Sequence, residues 1–135
     1  MPGTRGGFTI PAPSKTSELT NDSQFMSVKE YNLSVAALSG STTYTISDIP
    51  AGTVIHQVEL LVDTAFTSSA SQNNLAVKGA DNTVIMDSSW NDPNTIGNYV
   101  TKCSFTVSST IKLVHDLNTA TAGHATLRLH LHPSV

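Results

Sequence analysis

Apolar and polar residues alternate in short runs from about residue 28 onward. In the first run every second residue is apolar: Tyr31, Leu33, Val35 and Ala37. A second run, 42–49, places Tyr44 and Ile46 on one face and is followed by a Pro50-Ala-Gly52 turn. Because successive side chains of a strand point to opposite faces, both runs predict strands with one buried face.

The longest alternating run is 54–63, which we predict to be a central strand of a sheet. Its period of two assigns His56 to the face of Val58, Leu60 and Val62. The opposite face is then more polar: Ile55, Gln57, Glu59 and Leu61. On this assignment His56 is a hydrogen-bonded histidine at the rim of the core rather than a catalytic group.

Further strands follow, separated by turn residues. Residues 74–78 and 83–87 flank Gly79-Ala-Asp-Asn82, which predicts a hairpin. A polar loop over 88–97 precedes three more alternating runs: 99–107, 110–115 and 124–132. No window of a dozen residues keeps a helical period. Seven or eight short strands at this spacing predict an all-β fold, an antiparallel β-sandwich that is jelly-roll-like.

The first 25 residues differ from the rest, because Gly and Pro are frequent among Ser and Thr and apolar residues are too few for a core. We predict an extended N-terminal arm over 1–25 and one β-sandwich domain over 26–135. Arms of this composition become ordered along another chain, which supplies the hydrogen bonds and apolar surface that they lack. The apolar residues of the arm are therefore candidate partner-binding residues: Phe8, Ile10, Leu19 and Phe25.

Composition narrows the classes of function. Only 13% of the 135 residues are charged and the formal net charge is −3, which argues against nucleic-acid binding, since that needs clustered Lys and Arg. Ser and Thr make up about a quarter of the chain, as is common where subunits pack into assemblies. No apolar run approaches the ~20 residues of a membrane span, and no signal peptide is visible, so we expect synthesis in a cytoplasm.

Motifs of enzyme chemistry do not occur in the sequence. There is no Gly-x-Ser-x-Gly elbow, no His-Glu-x-x-His and no glycine-rich phosphate loop. Most carboxylates fall at strand ends or in turns, where Asp serves local hydrogen bonding, and Glu59 alone lies in mid-strand. The adjacent His115 and Asp116 would project to opposite sides, which is wrong for a proton relay. We therefore expect no enzyme and no cofactor.

The single cysteine cannot form an internal disulfide. Cys103 alternates with Phe105 and Val107, so we predict a buried thiol on the apolar face of a strand. A nucleophilic role is the less favoured interpretation.

The last predicted strand has one apolar and one polar face. The polar face consists of His124, Thr126, Arg128, His130 and His132. His130 and His132 project together and could hold a metal if a neighbouring strand or chain supplied a third ligand. That spacing is weak support, and we predict an edge or interface strand with a solvated polar face and no bound metal.

Trp90, in the polar loop, has two interpretations. It is either a loop anchor folded onto the core or a platform on which a sugar ring stacks. In the second case nearby polar and aromatic side chains would complete a glycan-binding site: Trp90, Asp92, Asn94 and Tyr99.

One stretch is more specific than a strand pattern: Ile49-Pro-Ala-Gly-Thr-Val-Ile-His-Gln-Val-Glu-Leu-Leu-Val-Asp-Thr-Ala-Phe66. It resembles a segment of small structural proteins of tailed bacteriophages, in which such a Pro-Ala-Gly-Thr turn feeds a Val-rich strand. The stretches Leu75-Ala-Val-Lys-Gly79 and Ala120-Thr-Ala-Gly-His-Ala-Thr-Leu-Arg-Leu-His130 resemble the later turn and final strand of that pattern. The likeness covers about residues 42–132.

The resemblance implies a virion β-sandwich, often a head decoration (cement) protein. We therefore expect a capsid decoration protein on the phage head surface, which stabilises the shell through subunit contacts and its N-terminal arm. The expected partners are the major capsid protein and copies of this chain, with a homotrimer suggested by analogy. The alternative is a tail- or fibre-associated module that binds host-surface glycan. Neither nucleic acid nor a membrane is an expected partner, and the resemblance carries over no binding residue.

Overall fold

The structure is a computed structural model that describes residues 27–67 and 74–132. Eight strands occur within these ranges: β1 (Ser27–Ser34), β2 (Thr43–Ile46), β3 (Val54–Thr67), β4 (Leu75–Gly79), β5 (Val84–Met86), β6 (Gly97–Thr106), β7 (Ile111–His115) and β8 (Ala122–His132). Two short helical segments accompany them: α1 (Val35–Leu38) and a 3₁₀ turn at Ser88–Trp90.

The strands form two four-stranded antiparallel sheets, ordered β1-β8-β3-β6 and β2-β7-β4-β5. The first strand pairs with the last, the second with the seventh, the third with the sixth and the fourth with the fifth. A two-stranded ribbon that folds over into two facing sheets pairs in this way, which is the jelly-roll arrangement. The predicted all-β, jelly-roll-like sandwich is thus confirmed for the described residues. The predicted arm, with Phe8, Ile10, Leu19 and Phe25, lies outside them.

The core lies between the two sheets and takes alternate residues from each strand. β8 contributes four buried residues: Ala125, Leu127, Leu129 and Leu131. Val58, Leu60 and Val62 of β3 and Ile111 and Leu113 of β7 are fully buried as well. Burying one such side chain stabilises the fold by about 1.5–3 kcal/mol relative to leaving it in water.

β3 confirms one prediction and corrects another. It lies between β8 and β6, so the prediction of a central strand is confirmed. His56 does not share the buried face of Val58, however, since Ile55 is fully buried and His56 is half-buried. The register shifts between Ile55 and Gln57 against both neighbouring strands. A β-bulge there changes the phase of the alternation, which is why the prediction for His56 was wrong.

The prediction that the first run continues as a strand through Ala37 is also wrong. The chain turns into α1 directly after β1. Ser34 caps this turn, because its hydroxyl accepts a hydrogen bond from the amide of Ala37 at 3.1 Å. The helical turn buries Leu38 in the core and leaves Ala37 exposed.

β8 has the apolar and polar faces that the alternation predicted. It is not an edge strand, however, because β1 and β3 pair with it on either side. The alternation along a strand reports which face is buried, and it carries no information on how many neighbours the strand has.

Candidate functional site

The outer face of the β1-β8-β3-β6 sheet, hereafter the outer face, is the side that points away from the core. The register aligns its side chains in rows that cross all four strands. One row is Val28, His130, Gln57 and Lys102, and the next is Glu30, Arg128, Glu59 and Val100. Polar and charged groups therefore meet across three strands at the centre of a sheet.

Glu59 lies at the centre of this network. Its Oε1 is 2.6 Å from Nε2 of His130, and its Oε2 accepts a hydrogen bond from Nδ2 of Asn98 at 3.0 Å. The hydrogen bonds to Asn98 and His130 hold the pKa of the Glu59 carboxyl below its ordinary value. Glu59 is therefore an ionised carboxylate whose two oxygens are both engaged, rather than a proton donor.

Two further side-chain pairs cross the outer face, an arginine–glutamate ion pair and a histidine–aspartate contact. Arg128 donates through Nε to Oε2 of Glu30 at 2.7 Å, and Nδ1 of His124 lies 2.8 Å from Oδ1 of Asp63. Both pairs are partly exposed to solvent, and such pairs contribute about 0–1 kcal/mol each. They fix the orientation of the side chains more than they stabilise the fold.

The β3 bulge opens a cleft of about 330 Å³ on this face. The lining residues of this bulge cleft are His56, Gln57, Lys102, Cys103 and His130. The His56 ring also lies edge-on to that of His132, with the ring centroids 5.3 Å apart. Neither Gln57 nor Lys102 was predicted to be a site residue. One sign of the bulge was present in the sequence. The two adjacent polar residues His56 and Gln57 interrupt the alternation between the apolar residues Ile55 and Val58.

Cys103 is half-buried and packs against the core, so the predicted burial is only partly met. Its thiol donates a hydrogen bond to the carbonyl of Ile55 at 3.3 Å. Burial raises the pKa of the thiol, which keeps it protonated and makes it a poor nucleophile.

A metal site on the outer face would need three or more convergent ligands. The described residues contain no group of three or more His, Cys, Asp or Glu side chains placed to hold a metal ion. His130 instead contacts Glu59 and Gln57.

The loop between β5 and β6 presents Trp90 to solvent. Trp90 is 53% exposed and Ile96 is 66% exposed, so the interpretation of Trp90 as an anchor folded onto the core is wrong. Trp90 is the last residue of a 3₁₀ turn that Asp87 caps and that buries none of its residues. The chain between this turn and β6 is mostly exposed as well.

The other members of the predicted glycan site serve the loop itself. Asp92 accepts hydrogen bonds from the amide of Asn94 at 3.0 Å and from the hydroxyl of Thr95 at 2.8 Å. The hydroxyl of Tyr99 donates to the carbonyl of Thr95 at 2.9 Å. Asp92 thus bonds to both Asn94 and Thr95, and Thr95 in turn bonds to Tyr99, in an arrangement that holds the loop.

His115 and Asp116 have separate partners, as expected of neighbours at a strand end. Asp116 accepts hydrogen bonds from the backbone and side-chain nitrogens of Asn74. His115 is buried, and its Nδ1 accepts a hydrogen bond from the amide of Leu117 at 3.1 Å. Burial lowers the pKa of His115, against the opposing effect of the Asp116 charge.

This buried imidazole predicts acid sensitivity. Below the ordinary histidine pKa of about 6.5, the unfolded chain binds a proton that folded His115 does not bind, so stability falls as the pH drops from 7 towards the lowered folded pKa. The loss from one such group approaches at most about 1.4 kcal/mol per pH unit. Urea unfolding between pH 7 and 5 should give a shallower pH dependence for His115→Leu than for the wild type. Parallel curves for the two proteins would contradict this account.

The described residues contain no helix long and apolar enough to cross a membrane.

The strand order, pairing and register define the class: a small jelly-roll β-sandwich with a polar, histidine-rich outer face. A solved structure with this fold is a chain of the cyanophage Pam1 capsid asymmetric unit. The two share 16% sequence identity with a TM-score of 0.58, over 80% of this chain and 84% of that chain, so their lengths are similar. At this identity the likeness shows a common fold. No protein-family model matches the chain. No curated protein matches it in sequence.

Proposed function

We propose that this chain is a structural protein of a bacteriophage virion, a capsid decoration (cement) protein that stabilises the head shell. The observation that carries the proposal is the jelly-roll match to a chain of the Pam1 capsid asymmetric unit, which spans four-fifths of both molecules. The outer face supports it, since its central carboxylate is engaged in hydrogen bonds and is not poised for catalysis.

In this proposal the sandwich is a scaffold on the head surface and residues 1–25 form an arm that lies across neighbouring subunits. The partners are the major capsid protein and further copies of this chain, arranged as a homotrimer, after synthesis in the host cytoplasm. Phe8, Ile10, Leu19 and Phe25 anchor the arm in apolar surface. Binding favours the assembled shell, because a protein that binds only the assembled state stabilises that state by mass action.

Deletion of residues 2–24 should abolish attachment to phage heads without unfolding the domain. All eight described strands lie after residue 26, so the shortened protein keeps the paired sheets. The measurement is co-sedimentation with heads that lack the protein, with thermal unfolding as the control for folding. Full attachment by the shortened protein would refute the role of the arm.

The second candidate is a tail- or fibre-associated module that binds host-surface glycan. The exposed Trp90 favours it, since an aromatic ring at the surface can stack on a sugar. A glycan array decides between the two, with Ile96→Ala as the control because Ile96 is an even more exposed apolar residue of the same loop. Specific glycan binding that Trp90→Ala abolishes and Ile96→Ala leaves intact would support this candidate and argue against decoration as the sole function.

A further inference from the structure

The bulge cleft results from two register shifts at one place. Ile55 pairs with Phe105 on one side and Leu131 on the other, whereas Gln57 pairs with Lys102 and His130. In the register His56 is therefore opposite two residues of β6, and no residue of β8 is paired with it. Bulges of this kind re-aim side chains in a sheet, and here the bulge turns His56 towards the Lys102 and His130 side of the cleft.

The groups around the bulge cleft are rich in hydrogen-bond donors. Nε2 of His56 is buried and has no hydrogen-bond partner among the described residues. Lys102 brings an ammonium group, and Gln57 brings a side-chain amide that lies 3.4 Å from Nε2 of His130. Within residues 27–67 and 74–132, no carboxylate lines the cleft. The carboxylate of Glu59 contacts His130 of the lining, and it is already engaged by His130 and Asn98.

A buried ring nitrogen without a partner, beside a cationic group and an amide, matches the needs of an anion. A carboxylate has two oxygens, so it can accept from the ammonium of Lys102 with one oxygen and from the side-chain amide of Gln57 with the other. Nε2 of His56 has almost no accessible surface as the ring lies here, so the ring has to turn for this nitrogen to donate as well. The opening is large enough for such a group together with the end of its side chain.

We propose that the bulge cleft is a carboxylate-binding site that receives an aspartate or glutamate side chain from a neighbouring subunit of the assembly. The source of the carboxylate rests on the proposed function, whereas the chemistry of the site does not. The site would fix the position of the sandwich on its partner, while the arm extends the contact.

Acetate is the probe for the site itself. In two-dimensional NMR at pH 7 and constant ionic strength, acetate should shift the resonances of the Gln57 amide, the Lys102 backbone and the His56 ring, with a millimolar dissociation constant. Lys102→Met should weaken acetate binding by about tenfold, the effect of losing one charge-assisted hydrogen bond. His56→Phe, which keeps a ring in place, should weaken it as well. Lys112→Met is the matched control, because Lys112 lies in the other sheet and contacts Asn82.

Three results would overturn the proposal. The first is no acetate-dependent shift at these residues, and the second is an equal loss with Lys112→Met. The third is phosphate binding ten times tighter than acetate, which would assign the cleft to a phosphate group instead.

To test the source of the carboxylate, the Lys102→Met protein is compared with the wild type in the head co-sedimentation assay. Reduced attachment supports a carboxylate from a neighbouring subunit, and unchanged attachment with weakened acetate binding refutes that source. If the wild type does not attach to heads either, the proposed function fails while the acetate result stands.

Discussion

Gly123→Ala is expected to destabilise the protein by about 4 kcal/mol, a large part of the 5–15 kcal/mol that holds a domain of this kind folded. Gly123 has a φ of 136°, in a region that residues with a side chain rarely adopt. A Cβ at this position would also overlap the ring of Phe66 and lie 2.7 Å from its Cα, which is backbone and cannot swing away. Backbone strain and overpacking therefore add at one position.

Gly40→Ala separates these two effects. Gly40 also has positive φ, 83°, but a Cβ there would meet nothing within 4 Å. Replacing Gly40 by alanine should lower the free energy of unfolding by about 1–2 kcal/mol, because it introduces backbone strain and no overpacking. Guanidinium unfolding of the two variants measures the difference. Equal losses of stability would show that the close approach of Gly123 to Phe66 has no energetic weight.

Leu127→Ala should cost about 3–5 kcal/mol, because it leaves a cavity in the middle of the sandwich. Leu127 is fully buried on β8, and its register partners Tyr31 and Leu60 lie on the two neighbouring strands. Both partners are held in paired strands, so the surrounding structure has little freedom to close around the missing atoms.

The neighbouring residue provides the control for Leu127. Thr126 lies on the outer face of the same strand and is half-buried between Asn32 and Leu61. Thr126→Ala should change the free energy of unfolding by no more than about 0.5 kcal/mol. Comparable losses from the two substitutions in guanidinium unfolding would contradict the placement of the core on the Leu127 side of β8.

The alternation of residues was enough to predict most of the fold. Every strand of the described ranges overlaps a predicted run, since a half-buried strand has to alternate in order to bury one face. The Pro50-Ala-Gly52 turn and the glycine at position 79 separate strands as expected, because Pro and Gly favour the backbone angles of turns.

The alternation could not predict on which face of β3 His56 lies. It also could not predict that β8 pairs with a strand on each side. A bulge depends on how three strands pair, so no property of the 54–63 run alone fixes it. The same holds for the end of the first strand, where the hydroxyl of Ser34 favours a helical turn over three more extended residues.

The candidate site was less accessible to sequence reasoning than the fold. Lys102 and His56 are far apart in sequence, and only the register of β3 and β6 brings both to one cleft. The exposure of Trp90 depends on the path of a loop, which local composition does not determine. The four apolar residues assigned to the arm remain a prediction, since they lie outside the described residues.

The pairing of the first strand with the last has a consequence for how the protein folds. Ser27 pairs with Leu131, so the β1-β8-β3-β6 sheet joins residues from the two ends of the domain. β8 pairs with both β1 and β3, yet it is the last of the eight described strands to leave the ribosome. This sheet can therefore close only after all the other strands have been made. Folding dominated by such distant pairings takes milliseconds to seconds, and until it is complete the edges of β1 and β3 stay open to mispairing with other copies of the chain.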